Sequence, residues 1–269
     1  MEILLSIALL AMADPSLPPR ATLLDLGYQQ MYNLQFGPAH QSFQEWSRQH
    51  PDDPLGPVSD AAAYLFSEFD RLHILQSEFF MHDDGIGGRQ KLTPDPLLKQ
   101  NFERALWQSQ QLADRALGRE PQNPNALFAD LLRLGLHADY LALVEKRYLA
   151  SLGDVKTGRA LAEKLIALDP GFCDAYLAIG VENYLLSLKP APIRWLLRAG
   201  GAETDRDRGV EDLALTAEKG HYLLPYARIL LAVAALRDKN VARARELLED
   251  LAKEFPRNPL YMQELSRLH

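Results

Sequence analysis

The chain has 269 residues, of which 47% are hydrophobic and 24% charged, a composition typical of a globular rather than a disordered protein. Its 29 basic and 36 acidic residues give a net charge of −7. They are interspersed, so there is no basic stripe to neutralise phosphates, and nucleic acid is not expected as a partner. The single cysteine, Cys173, excludes an internal disulfide, and we expect it to pack in an apolar helix start.

The first 13 residues form an apolar run that ends in Ala-Met-Ala before Asp14. This small-x-small ending predicts a signal peptide over 1–13, followed by a proline-rich extended linker over 14–20. The run is too short for a bilayer that needs about 20 apolar residues, so any membrane contact would be peripheral. We therefore expect a periplasmic or otherwise exported protein. No basic residue precedes the run, so an uncleaved apolar helix on a cytoplasmic protein is the alternative.

Apolar residues recur at three- and four-residue intervals along most of the chain, and alternating strand patterns are nearly absent. Pro51, Pro121, Pro170 and Pro256 each close a helix, because the residue before a proline disfavours the α region. Turns are expected at Gly153-Asp154 and at 238–240. The predicted helices cover 21–34, 38–49, 57–77, 95–118, 124–150 (with Gly135 as a possible break), 154–168, 172–186, 204–219, 222–237, 240–254 and 258–268.

One spacing occurs twice. A small residue, Gly27 or Ala232, is followed 24 residues later by a proline, with an alanine and a large apolar residue in register between them. This pattern is typical of a helical hairpin that stacks on copies of itself. The sequence thus predicts an all-α solenoid of about five irregular hairpins with a C-terminal closing helix, forming one repeat domain over 21–269.

These positions resemble the tetratricopeptide repeat (TPR) family, most closely in the first, fourth and fifth units. The residues that carry the resemblance are Leu26, Gly27, Ala39, Phe43, Pro51, Gly158, Pro170, Tyr176, Gly180, Leu231, Ala232, Ala244, Leu248 and Pro256. The stretch 183–190, with 194–197 and the glycines from 200 to 209, is similar to the divergent TPR family of mitochondrial-outer-membrane and inclusion-clearance proteins. In that family too, a proline-bearing apolar insertion separates two helices of one unit.

In TPR proteins the first helix of each hairpin lines a concave groove, and the resemblance implies which residues would do so here. They share an i, i+4, i+7 spacing that places each trio on one helical face. The three trios are Leu24, Tyr28 and Met31; Leu177, Val181 and Tyr184; and Ile229, Val233 and Leu236. They are aliphatic or tyrosine rather than basic, so capture of a peptide carboxylate is not expected.

An apolar groove needs a cover, since large exposed apolar patches are uncommon on soluble monomers. A partner segment is one possible cover, and the chain's own insertion over 187–203 is another. Within the insertion, Trp195 between Arg194 and Arg198 would act either as an anchor on a partner or membrane surface or as a plug. The stripes could also be simple core.

Catalytic and metal-binding patterns are not found in the sequence. The histidines lack helical metal-ligand spacing, no nucleophile elbow occurs, and the glycines at 85–88 lack the context of a phosphate loop. Asp174 and Glu182 are expected to form surface ion pairs.

We therefore expect a noncatalytic protein-interaction scaffold without cofactor or metal, which binds a protein or peptide segment in an apolar groove. The alternative is a carrier or sensor of an apolar small molecule or lipid, enclosed by the helices and the insertion.

Overall fold

The computed structural model describes residues 21–75, 92–187 and 205–268, and this part of the chain is helical without strands. A short π-helix, Tyr140–Val144, follows α5, and a 3-10 turn, Cys173–Ala175, precedes α7. The eleven α-helices of the described ranges are α1 Leu23–Tyr32, α2 Phe36–Gln49, α3 Leu55–Arg71, α4 Pro96–Arg119, α5 Pro124–Asp139, α6 Tyr148–Leu168, α7 Tyr176–Ser187, α8 Arg206–Lys219, α9 Leu224–Arg237, α10 Val241–Glu254 and α11 Pro259–Arg267.

Side chains and prolines at the N-terminal ends fix where many helices begin. Thr22 and Asp25 form a capping box on α1, each accepting a backbone N–H of the other. Asp95, Asn123 and Asn258 cap α4, α5 and α11, and each precedes a proline in the first helical turn. A proline costs nothing there, because its missing N–H would have had no intrahelical partner. These polar-proline pairs are visible in the sequence, which explains why the predicted starts are close to the observed ones.

Consecutive helices pack on each other, and the pairs are joined by further contacts such as those of α2 with α3, α4 with α5 and α6 with α7. The pairs are α1 with α2, α3 with α4, α5 with α6, α7 with α8, and α9 with α10, and α11 packs on α10. The all-helical class and the packing in neighbouring pairs are thus confirmed.

Small residues lie at two of the helix crossings. A Cβ on Gly27 would meet the ring of Phe43 at 2.3 Å, so α1 and α2 approach closely only because this position has no side chain. A Cβ on Gly180 would meet the Gly209 carbonyl at 3.0 Å, and one on Gly209 would meet the Tyr184 nitrogen at 2.7 Å. At both crossings, backbone or a ring occupies the space that a larger side chain would need. This explains why Gly27, Gly180 and Gly209 are glycines.

The prediction of one long helix over 124–150 was wrong. The α-helix is not broken at Gly135, but it gives way to the π-helix after Asp139. The helical segment then ends before Lys146, which has a left-handed φ of 61°. The predicted turn at Gly153 was also wrong, since that residue lies inside α6. The helix predicted over 57–77 ends earlier, at Arg71, and His73 has a φ of 58°.

The first hairpin contacts the fifth and the turns that flank it, between residues that lie 190 to 226 positions apart in the chain. Asn258 donates to the Tyr32 carbonyl at 2.9 Å, and the backbone N–H of Arg257 donates to the Asn33 side chain at 3.0 Å. Asp25 and His221 approach at 2.7 Å. We call this set of contacts the end-to-end junction. It brings the two most regular hairpins side by side.

Candidate functional site

The structure places the three predicted groove trios in different surroundings. Those of α1, Leu24, Tyr28 and Met31, are all buried. On α7, Tyr184 is buried while Leu177 and Val181 are partly exposed. On α9, Ile229, Val233 and Leu236 are all partly exposed.

Aromatic rings fill the space between α1 and the start of α9. Tyr28 stacks on Tyr222 with ring centroids 4.7 Å apart, and its hydroxyl accepts from Ser59 at 3.1 Å. Tyr32 packs edge-on against Phe66 and donates to the Tyr222 carbonyl at 3.1 Å. The α1 face is therefore covered by the fifth hairpin and forms part of the core.

Next to this aromatic cluster lies an apolar pocket with a volume of about 60 Å³. It brings Met31 of the first predicted trio together with the whole α9 trio. We call it the α1–α9 pocket. Its lining residues come from α1, α3, α9, α10, α11 and the adjoining turns: Met31, Tyr32, Leu34, Phe66, Phe69, Ile74, Leu75, Tyr226, Ile229, Leu230, Ala232, Val233, Leu236, Leu248, Asn258, Leu260, Tyr261 and Glu264.

The polar side chains of the pocket wall are engaged inside the protein. Asn258 donates to the Tyr32 carbonyl and accepts from the Leu260 backbone, and it also interacts with the Tyr261 hydroxyl. The Glu264 carboxylate accepts from Arg267 at 2.8 Å. What the wall offers to a ligand is thus apolar contact.

Tyr226 connects this wall to a half-buried acid, Asp139, that the sequence reasoning missed. Its ring packs edge-on against Phe66, and its hydroxyl donates to Asp139 Oδ2 at 3.2 Å. Burial raises the pKa of Asp139 to about 7, and the hydrogen bond from Tyr226 only partly opposes that rise. No local pattern could have revealed a contact between residues 87 positions apart.

Two carboxylates predicted to form surface ion pairs are buried, so their predicted place on the surface was wrong, although Glu182 does form an ion pair. Asp174 is 4% exposed and accepts the backbone N–H groups of 221, 222 and 223, the turn that leads into α9. Glu182 is 8% exposed and lies 3.4 Å from Arg159 of α6. Both carboxylates link consecutive hairpins.

Asn183 is a second buried polar residue that the sequence did not single out. It is fully buried on α7, and within the described part of the chain neither atom of its side-chain amide has a hydrogen-bond partner. An unpaired buried amide costs free energy, so we expect Asn183 to lower the stability of the folded protein. It is not in the wall of the α1–α9 pocket.

Several predicted features lie outside the described residues: the proposed signal peptide and linker, the glycine-rich loop at 85–88, and the insertion anchor Arg194, Trp195 and Arg198. Across residues 21–75, 92–187 and 205–268, no group of three or more histidine, cysteine or acidic residues is arranged to hold a metal ion. In the same ranges, no helix is both long and apolar enough to span a bilayer.

Comparison of the chain with models of protein families, with curated proteins and with solved structures gives no match.

Proposed function

We propose that this protein is a noncatalytic binding protein with a TPR-like solenoid architecture. It recognises a partner protein segment by taking an aliphatic side chain into the α1–α9 pocket, beside the partly exposed face of α9. Asp139 and the polar groups near the pocket stabilise its structure and adjust binding, and they take no part in bond-breaking chemistry.

The observation that supports this proposal is the composition of the pocket wall. Met31, Val233 and Leu236 meet there, and the neighbouring polar side chains are already hydrogen-bonded within the protein. An aliphatic group that enters loses water-exposed apolar area, which is worth about 25 cal/mol per Å². A charged group would have to leave water without a free partner in this wall.

The size of the pocket limits which chemical groups of a ligand it can hold. Its volume of about 60 Å³ is well below the ~150 Å³ of an engineered cavity that binds benzene. A leucine-like or straight aliphatic group therefore fits better than an aromatic ring.

Filling the pocket tests the proposal. Val233→Phe on α9 should occupy the space, whereas Val181→Phe makes the same substitution on a partly exposed face of α7 outside the pocket. Peptides from a random display library should be enriched on the wild-type protein with an aliphatic residue at one fixed position. We expect Val233→Phe to lower their affinity at least tenfold and Val181→Phe to leave it within twofold.

Equal binding of such peptides by both variants would contradict the proposal, as would the absence of any enriched aliphatic motif. Circular dichroism and melting curves of each variant check that a loss of binding does not reflect unfolding.

A second candidate function is a carrier of a small aliphatic molecule. It is favoured by the placement of the pocket among five helices rather than along an open surface. Native mass spectrometry of the purified protein separates the two candidates, because a carrier retains a small ligand and a peptide-binding scaffold does not.

A further inference from the structure

Asp139 lies behind the pocket wall and is connected to it by a single side chain. Tyr226 contributes its ring to the pocket and its hydroxyl to Asp139, with Phe66 packed against the same ring and also lining the pocket. A change at the pocket face of Tyr226 therefore reaches the carboxylate through one residue.

Several charged groups on the elements packed against α5 pair with other partners, and Lys146, with its Nζ buried, is a further cation just after the π-helix that follows α5. Glu68 of α3 binds Arg71, Lys99 of α4 binds Glu145, and Asp154 of α6 binds His137. On α5 itself, Asp130 pairs with Arg133. From α9, Tyr226 is the titratable group that contacts Asp139.

We propose that Asp139, acting through Tyr226, couples occupancy of the α1–α9 pocket to proton uptake, so that an apolar ligand binds more tightly when Asp139 is protonated. This inference rests on the proposed function of the pocket and adds a regulator to it. The regulator is a proton-binding site, and Asp139 acts as a positioning residue that does not touch the ligand.

The sign follows from solvation. A ligand in the pocket packs apolar atoms against the ring of Tyr226, whose hydroxyl is bonded to the carboxylate, and so makes the surroundings of Asp139 less polar. A less polar environment disfavours the charged form and raises the pKa of Asp139 further in the bound state. Since burial already places that pKa at about 7 in the free protein, the binding affinity should fall as pH rises through neutrality. Each unit of additional pKa rise corresponds to about a tenfold loss of affinity.

The local backbone is consistent with this role. Asp139 is the last residue of α5, and the π-helix Tyr140–Val144 begins immediately after it. Such π-turns are found frequently at functional sites, where they change the direction in which neighbouring side chains point.

Xenon is a suitable probe, because it is apolar, small enough for the pocket and without a titratable group of its own. We would measure its affinity by ¹²⁹Xe NMR between pH 5.5 and 8.5. For the wild-type protein we expect a three- to tenfold loss of affinity across this range. Asp139→Asn should bind with a pH-independent affinity. Asp130→Asn, on the same helix, is the matched control and should behave like the wild type.

Tyr226→Phe provides a second readout that a purely structural role would not change. The hydrogen bond from Tyr226 lowers the pKa of Asp139, so its removal should move the midpoint of the pH profile upward. In the wild-type protein, saturation with xenon in weakly buffered solution near pH 7 should also take up protons. This measurement does not depend on how well any variant folds.

The outcomes separate the inference from the function on which it rests. If xenon binds, Val233→Phe abolishes that binding, and the affinity is the same at all pH values without proton uptake, then proton coupling is wrong and the pocket stands. If xenon does not bind the wild-type protein at any pH, both the apolar pocket site and its regulation are overturned.

Discussion

Asn183 is a buried polar residue of α7 that we expect to lower the free energy of unfolding. Its neighbours on α7 are packed against α8 through the Gly180–Gly209 crossing, and the amide is enclosed there with neither its oxygen nor its nitrogen paired within the described part of the chain. Burying a polar group without a hydrogen bond costs about 1–3 kcal/mol. A nonpolar side chain of similar shape does not carry that cost.

Asn183→Leu should therefore stabilise the protein by about 1–3 kcal/mol, seen as a higher urea midpoint with an unchanged slope. Asn125→Leu, at an exposed position on α5, is the matched control and should change the free energy of unfolding by less than about 0.5 kcal/mol. A destabilised Asn183→Leu protein would show that the amide is paired in solution, for example by a buried water molecule.

At the scale of the element, Asp174 decides how α9 begins. Its carboxylate accepts three backbone N–H groups of the turn before α9, at distances of 2.9 to 3.1 Å. These donors precede the first helical residue, and α9 has no side-chain cap of its own. A carboxylate from the preceding hairpin thus holds the turn that leads into α9 and ties the two hairpins together.

Asp174→Ala should destabilise the protein by about 2–4 kcal/mol, because it leaves three partly buried N–H groups without their acceptor. Asp174→Asn retains one acceptor oxygen and should lose less. Asp205→Ala removes the exposed cap of α8 and is the comparison, with an expected loss of about 1 kcal/mol. Equal losses in urea unfolding for Asp174→Ala and Asp205→Ala would refute the interhairpin role.

The helices could be predicted from the sequence because their signals are local. Apolar periodicity, capping side chains such as Asn123, and prolines after the cap lie within a few residues of the ends that they mark. The break at Lys146 has no such signal: no glycine or proline precedes it, and the chain turns there because the π-helix ends. Gly153 was predicted as a turn because a glycine beside an aspartate is a common turn signal, although in α6 a Cβ at this position would meet no atom within 4 Å.

The candidate site could be predicted only in part, and the reason lies at the scale of the whole molecule. The faces of α1 and α9 were identified from their spacing, and Met31 and Val233 do meet. What the sequence could not show is that the first and fifth hairpins are adjacent. In an open solenoid, each repeat contacts only its neighbours. The end-to-end junction makes a pocket from two faces that would otherwise lie apart, and it buries the α1 trio.

This junction should also determine how the protein unfolds. Repeat arrays open from their ends, because terminal units have only one neighbour. Here α1 gains a further neighbour through the Asn33 side chain at its C-terminal end, which accepts the Arg257 N–H, and through the Tyr28–Tyr222 stack. We therefore expect α1 amides to exchange hydrogen with protection similar to that of α9 amides.

Asn33→Ala removes the acceptor of the Arg257 N–H while leaving the aromatic stack in place, and should weaken the junction by about 1–3 kcal/mol. Hydrogen exchange read by mass spectrometry should then speed up about tenfold or more in α1 and α2, while α5 and α6 keep their protection. Asn125→Ala, outside the junction, should leave the pattern unchanged.

Because the α1–α9 pocket draws its wall from both sides of the junction, Asn33→Ala should also weaken xenon binding. Exchange that accelerates equally in all hairpins would mean that the junction adds to global stability without holding the ends together, and uniform fast exchange of α1 in the wild-type protein would mean that the ends are apart in solution.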